Sequence, residues 1–136
     1  MFTIFKKDGG YLPALEKYPT KALETYQLGE LLILSGGGLT KCGATASPQF
    51  VCQENYTASA GGGKDIAVMP IDRNITYSTT ASAALPGSGD TAVSVGDKVT
   101  LSSDAMEVTA TKTSGVALVV YKGGEAKGDE VHVKFI

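Results

Sequence analysis

The amino-acid sequence predicts an all-β fold, a small barrel or sandwich built from two internally repeated four-strand units with an extended N-terminal arm. Apolar and polar residues alternate with a two-residue period in several short β-rich runs, and Gly, Asp and Ser separate these runs. In addition, two parts of the chain match each other block by block in the same order. With 136 residues, the chain has the size of about one domain. We predict an arm at residues 1–27 and a β domain at 28–136, with repeats at about 28–71 and 95–136 around a connector at 72–94.

The predicted arm has no sustained periodicity, and it contains Gly-Gly, two prolines and several aromatic residues. A disordered tail is the alternative interpretation, but disordered segments are usually poor in aromatic residues. An extended segment with aromatic anchors suits strand addition to a partner. We therefore predict that the arm binds a partner, with Phe2, Phe5, Tyr11 and Tyr18 as the contact residues.

The repeat rests on four blocks that keep their order. Residues 28–35 (LGELLILS) match residues 95–102 (VGDKVTLS): each has an apolar residue, Gly, an acid, a four-residue strand and Ser. The other pairs of blocks are 40–45 with 108–111, 48–52 with 115–118, and 64–71 with 129–136. Two copies are too few for a solenoid, and they fit one pseudo-symmetric β unit or two small barrels. Chance similarity between Gly-acid turns is the alternative.

The loops of the first repeat are rich in glycine, at residues 36–38 and 60–63. They do not form a phosphate-binding loop, because Gly63-Lys64 is followed by Asp65 where that motif needs Ser or Thr. We interpret both as hairpin loops. In the connector, residues 74–80 read as a strand, and residues 81–90 as an exposed loop rich in small and turn-forming residues.

Composition and charge exclude several classes of function. The net charge is −2, with acids and bases mixed along the chain, so no basic face for nucleic acid or for a membrane surface is predicted. No apolar run has the length of a transmembrane helix. The first seven residues lack the pattern of a signal peptide. We expect a protein that is made in the cytosol.

The two cysteines, Cys42 and Cys52, end two runs that could pair, so a cross-strand disulfide is conceivable. A cytosolic chain keeps its thiols reduced, and we predict free structural thiols. Together with a single histidine they do not make a zinc site, which needs about four closely spaced ligands.

No catalytic constellation is recognised, and no cofactor or metal is predicted. His132 is the only histidine; it alternates with Val131 and Val133, so we expect it on the opposite face, towards solvent. Glu30 and Asp97 hold the same repeat position and are interpreted as solvated turn acids, with a shared cation as the alternative. The sequence therefore predicts a protein that is not an enzyme.

A set of hydrophobic blocks and Gly-acid turns carries a family resemblance. These blocks are residues 26–30, 39–45, 48–51, 95–99, 115–117 and 129–133. From Gln27 onward the chain resembles small structural proteins encoded in prophages of Firmicutes, which are similar to capsid decoration or head-stabilising proteins of tailed phages. The resemblance implies a β-rich, non-enzymatic virion protein that is made in the bacterial host cytoplasm.

The same resemblance implies the partners. They are the major capsid protein or copies of the chain itself, with copies meeting as a homo-oligomer, such as a trimer, at a threefold or sixfold position of the shell. The alternative from another class is a small ligand- or carbohydrate-binding β module, for which Tyr77 and Tyr121 are the aromatic candidates. A third, weaker alternative is an enzyme that uses His132.

Overall fold

A computed structural model describes all 136 residues and confirms the all-β fold. The chain forms twelve strands. They are β1 (Thr3–Lys7), β2 (Glu16–Pro19), β3 (Thr25–Tyr26), β4 (Leu31–Ser35), β5 (Gly38–Lys41), β6 (Phe50–Cys52), β7 (Tyr56–Thr57), β8 (Asp65–Pro70), β9 (Ile75–Thr80), β10 (Lys98–Val99), β11 (Ala117–Lys122) and β12 (Glu130–Lys134). None of the secondary structure is a helix of the length and apolar character needed to cross a membrane.

The strands form two five-stranded antiparallel sheets and one small ribbon. Sheet I has the order β2-β8-β6-β4-β5, and sheet II has the order β1-β9-β12-β11-β10. The ribbon pairs β3 with β7. Each sheet therefore contains strands that are far apart in the sequence, which is the high-contact-order arrangement typical of all-β folds.

Two buried clusters hold these layers together, and β6 contributes to both. Phe50 and Cys52 point into the smaller cluster, which also contains Tyr26 of the ribbon. Val51, between them in the sequence, points the other way and joins Leu31 in the larger cluster, which is dominated by sheet II. This alternation buries both faces of sheet I, one against the ribbon and one against sheet II.

The two sheets share a strand order. If β5 and β1 are left out, sheet I reads first-fourth-third-second along the chain (β2-β8-β6-β4), and so does sheet II (β9-β12-β11-β10). Each second strand follows a matching turn, at residues 27–30 and 94–97, closed by a 3.0 Å hydrogen bond from the last amide to the first carbonyl. The third residue of each turn, Gly29 or Gly96, has a positive φ, which favours glycine.

The pairing beyond these turns also matches. The amide of Cys52 donates to Glu30 O at 2.8 Å, and the amide of Val119 donates to Asp97 O at 2.9 Å. Seven residues of the smaller cluster have buried counterparts, in the same order, in the larger one. They are Tyr26, Leu32, Leu39, Phe50, Cys52, Ile66 and Val68, against Val93, Val99, Val108, Ala117, Val119, Val131 and Val133.

The predicted repeat is not confirmed with its boundaries of 28–71 and 95–136. The first strand of each shared pattern, β2 or β9, lies outside those boundaries. In addition, residues 108–111 form no strand; Val108 makes only isolated bridges, to Ala81 and Leu101. Sheet I has a comparable single bridge between Thr20 and Leu39, so its two ends approach each other, but neither sheet closes into a barrel.

The N-terminal arm predicted at residues 1–27 is not confirmed either. Residues 3–7 form β1, the edge strand of sheet II, and residues 16–19 form β2, the edge strand of sheet I. The side chain of Phe2 is only 1% exposed and lies in the larger cluster. The segment thus crosses from one sheet to the other and pairs with both, because its own alternation was too short to be recognised in the sequence.

Candidate functional site

The outer face of sheet II, which points away from the larger cluster, carries an open depression of about 630 Å³. It is lined by Phe5, Lys6, Thr76, Val120, Tyr121, Glu130, His132 and Lys134. These side chains come from four neighbouring strands, β1, β9, β12 and β11. The floor is therefore a paired sheet, which is a rigid support for a site.

Two β-bulges shape the depression. Pairing between β1 and β9 skips Phe5, and pairing between β11 and β12 skips Val120. A bulge leaves one residue unpaired and redirects the neighbouring side chains. Here the first bulge turns Phe5 towards β12, and the second places Tyr121 opposite His132.

Three rings stand side by side on this face. The centroid of the His132 ring lies 4.0 Å from that of Phe5 and 4.7 Å from that of Tyr121. The outer two rings are open to solvent, with Phe5 55% exposed and Tyr121 48% exposed, whereas His132 between them is 7% exposed. The result is a continuous aromatic surface with a nearly buried imidazole at its centre.

A short polar network fixes the imidazole. Glu130 Oε1 accepts hydrogen bonds from His132 Nε2 at 2.7 Å and from Ser78 Oγ at 3.0 Å. The hydrogen bond from His132, followed by that from Ser78, lowers the pKa of the Glu130 carboxyl, so the group is a carboxylate at neutral pH. Because a carboxylate oxygen only accepts hydrogen bonds, Nε2 carries a proton.

The hydroxyl of Thr76 is the exception to this pairing. Thr76 lies on β9, between the strands that carry Phe5 and His132, and it is 2% exposed. Its Oγ1 has no hydrogen-bond partner, and it is the one buried side-chain polar atom of the chain in that condition. Leaving such a group unpaired costs about 1–3 kcal/mol, so an orphaned hydroxyl in a depression calls for an explanation.

Cations border the depression, but a carboxylate offsets them. Lys134 Nζ lies 3.0 Å from Asp8 Oδ2, and Lys6 Nζ lies 3.9 Å from Asp8 Oδ1. The hydrogen bond and charge of Lys134 lower the pKa of the Asp8 carboxyl, which is therefore ionised. With Glu130 as a second acid, the two lysines face two carboxylates, and the site has little net charge.

The structure separates the four residues predicted to bind a partner. Phe2 is in the core, so its assignment as a contact residue is wrong. Tyr18 packs against Phe50 with a centroid distance of 5.0 Å and supports the smaller cluster. Only Phe5 and Tyr11 are exposed, and they lie on different surfaces: Phe5 lines the depression, and Tyr11 lies in the loop between β1 and β2.

That loop, residues 8–15 (DGGYLPAL), is the most exposed apolar segment of the chain. Tyr11 is 95% exposed, and Leu12 and Leu15 are each more than half exposed. Both ends are held, since Asp8 N donates to Asn74 O at 3.0 Å and β2 begins at Glu16. The structure therefore presents an apolar loop between the two sheets where the sequence predicted a free arm.

Two further predictions need correction. His132 does face opposite Val131 and Val133, but it does not face solvent, because Phe5 and Tyr121 cover it. Tyr77 is fully buried, and its hydroxyl oxygen accepts a hydrogen bond from Asp72 N at 3.2 Å, so it offers no surface to a sugar. Of the two tyrosines considered for a carbohydrate site, only Tyr121 is on the surface.

The cysteines and Glu30 lie away from this face. Cys42 and Cys52 are free and buried, and burial raises the pKa of the Cys42 thiol to about 11, so it is unreactive. Glu30 is not a solvated turn acid, since it is 2% exposed and burial raises its pKa to about 7. Asp97, at the matching turn, accepts a hydrogen bond from Ser94 N at 2.8 Å.

No group of three or more His, Cys, Asp or Glu side chains is arranged to hold a metal ion. No protein-family model matches the chain, and a comparison with curated proteins finds no match. The depression on sheet II and the loop of residues 8–15 are therefore the two surfaces from which a function is argued.

Proposed function

We propose that the chain is a non-enzymatic structural protein that decorates a phage capsid and attaches to it through the loop of residues 8–15. The observation that carries the proposal is the exposure of Tyr11, Leu12 and Leu15 in one loop whose two ends are fixed in different sheets. Exposed apolar side chains grouped in one segment are typical of an interaction surface.

The physics of the loop favours a docking role. Tyr11 and the two leucines would bury most of their surface on contact, and each fully buried apolar side chain contributes about 1.5–3 kcal/mol. Because Pro13 restricts the backbone and the sheets hold both ends, less conformational freedom is lost on binding than for a free arm. A homo-oligomer that presents several of these loops to one position of a shell gains further from multivalency.

We also propose that sheets I and II are two copies of one four-strand unit, as the shared strand order and matching turns suggest. Doubling the unit gives two sheets with four edge strands, β2, β5, β1 and β10. Such a protein can bridge neighbouring capsid subunits without chemistry, and a homotrimer at a threefold position would present three of the loops together.

Co-sedimentation with mature heads of the phage or prophage that encodes the chain tests attachment. Removing residues 1–20 would also remove β1 and β2, so the loop is altered instead, with Tyr11, Leu12 and Leu15 each changed to Ser. We expect saturable binding of the unaltered chain and loss of binding by this variant.

The control is Tyr121→Ser, which removes an exposed aromatic residue from the other surface and is expected to leave head binding unchanged. Absence of binding by the folded, unaltered chain would contradict capsid decoration. Binding that survives the three loop substitutions would keep decoration but move the contact to another surface.

A further inference from the structure

The geometry points to a second function: the depression on the outer face of sheet II is a binding site for a neutral pyranose sugar. The site combines the exposed rings of Phe5 and Tyr121 with the hydroxyl of Thr76 and the imidazole of His132. This second function does not depend on capsid attachment, since the side chains that would contact the sugar all belong to the sheet and none to residues 8–15.

The three rings of Phe5, His132 and Tyr121 are not needed to build the sheet. Cys52 pairs with Val68 in sheet I as Val119 pairs with Val133 in sheet II, so Ala67 occupies the position that His132 has in sheet II. The same framework therefore forms with a methyl group at that place. Three adjacent rings on an outer face are an addition to the unit, and they require a separate reason.

The two β-bulges also mark the depression. Regular pairing would continue through Phe5 and Val120, and each bulge gives up ladder hydrogen bonds at its position. Both bulges open on the same depression, and both redirect aromatic side chains towards His132. Two independent departures from regular pairing that converge on one surface are typical of a functional site.

Thr76 lines the depression, and its hydroxyl has no hydrogen-bond partner. To reach His132 on β12, the Phe5 ring crosses β9, the strand of Thr76, and so lies over its outward-facing side chains. Because Thr76 Oγ1 is buried, contact with a ligand requires the neighbouring Phe5 side chain, which is half exposed and outside regular pairing, to shift on binding. A ligand hydroxyl then supplies the missing hydrogen bond, which a purely apolar ligand would not do.

The chemistry of these groups selects the ligand class. A pyranose has one face of C–H groups, which packs on aromatic rings, and a rim of hydroxyls, each of which donates and accepts hydrogen bonds. The exposed ring of Tyr121 suits the first, and Thr76 Oγ1 suits the second. Because the ammonium group of Lys134 already forms an ion pair with Asp8, an acidic group on the sugar is not required for charge balance.

The test is a titration of the full chain with neutral methyl glycosides of glucose, galactose and mannose, followed by amide chemical shifts. We expect saturable shifts confined to residues of β1, β9, β11 and β12 around the depression for at least one sugar. Tyr121→Ala should weaken that binding about tenfold or more, since it removes one stacking surface. Tyr11→Ala is the matched control, because it removes an exposed aromatic residue outside the site.

Thr76→Val separates a ligand contact from a structural role. The change keeps the shape and removes the unpaired hydroxyl, so we expect unchanged or raised thermal stability together with about 2- to 10-fold weaker sugar binding. Tyr121→Leu is a second probe if Tyr121→Ala does not fold, since it keeps apolar volume and lacks a flat ring.

Several results would overturn the assignment. No saturable shift with any of the three methyl glycosides, shifts centred elsewhere on the chain, or wild-type affinity in Tyr121→Ala or Thr76→Val would each do so. Binding of methyl glucuronide alone would also overturn it, because recognition would then rest on Lys6 and Lys134 and on an acidic ligand.

Discussion

The two sheets of this protein use one strand order for two different purposes. Sheet I is covered on both faces, by the ribbon and by sheet II, and its inner cluster contains large aromatic side chains such as Tyr26 and Phe50. Sheet II buries one face with small aliphatic residues, such as Val93 and Ala117 at the positions that match Tyr26 and Phe50, and leaves the other face for the aromatic depression. The framework is shared, and the side chains on each face decide its role.

The cause of the difference lies in what covers each sheet. Sheet I has a ribbon over its inner cluster, and Tyr26 of the ribbon donates from its hydroxyl to Leu39 O at 2.8 Å. Large rings fill the space between sheet and ribbon. The corresponding interior of sheet II is lined by valines, and its volume is filled partly by side chains from outside the shared pattern, including Phe2 and Phe135.

The largest loss of stability is expected when a residue of the smaller cluster is replaced by its counterpart in the larger cluster. Phe50→Ala copies Ala117, but it opens a cavity beside Tyr18, and we expect a loss of about 3–5 kcal/mol in the free energy of unfolding. Urea denaturation at constant m-value measures it. Leu34→Ala, on the exposed end of β4, is the control and should cost far less. A loss under about 1 kcal/mol in Phe50→Ala would show that the interior relaxes and that the cores are interchangeable.

The next largest change in stability is expected at the acids of the two matching turns, Glu30 and Asp97, and it depends on pH. The pKa of Glu30 is about 7 in the folded chain against 4.5 for an ordinary Glu. The folded state therefore favours the protonated form of Glu30, so the contribution of this group to the free energy of unfolding is greatest below about pH 4.5, falls as pH rises to about 7 and stays lower above it. Glu30→Gln should remove this dependence and stabilise the chain by about 1–3 kcal/mol at pH 8.

Asp97→Asn is the matched variant for that experiment. It should keep the pH dependence imposed by Glu30, and by weakening the hydrogen bond from Ser94 N it should cost about 1 kcal/mol or less. Thermal denaturation of the three chains between pH 4 and pH 8 gives the comparison. Parallel profiles for the wild type and Glu30→Gln would mean that Glu30 is not the group responsible.

Substitution of the two turn glycines is expected to reduce stability by a smaller amount, and by a similar amount in both turns. Gly29 and Gly96 have φ values of 82° and 100°, and an alanine there is strained in both turns. At Gly29 a Cβ would also meet the Cβ of Met1 at 2.7 Å, so this half-exposed terminal residue must shift as well. We expect each Gly→Ala change to cost about 1–2 kcal/mol. A much larger loss at Gly29 would show that the Met1 contact is rigid.

The smallest effect should come from exchanging Cys52 for the valine that sheet II has at the same position, Val119. The thiol makes one weak hydrogen bond, from Sγ to Glu54 O at 3.1 Å, and the two side chains have similar volumes. We expect Cys52→Val to change the free energy of unfolding by less than about 1 kcal/mol. Chemical denaturation under reducing conditions checks it, and a larger loss would assign a structural role to the thiol.

Much of the strand pattern could be predicted because its signals are local. Residues 74–80 were expected as a strand and form β9, and the block at residues 129–136 contains β12. The Gly-acid matches at residues 28–30 and 95–97 mark the two equivalent turns. The site was not predictable in this way, because Phe5 and His132 are 127 positions apart in a chain whose first strand looked like a free arm.

Local chemistry thus sets the strands, the alternation along each of them and the positive φ of the turn glycines, since these depend on neighbouring residues alone. Pairing across the chain sets the rest. It makes β1 an edge of sheet II, covers His132 with Phe5, buries Glu30 while Asp97 stays near solvent, and leaves the hydroxyl of Thr76 unpaired. Alternation gives the face on which a side chain lies, but the cover on that face comes from distant segments.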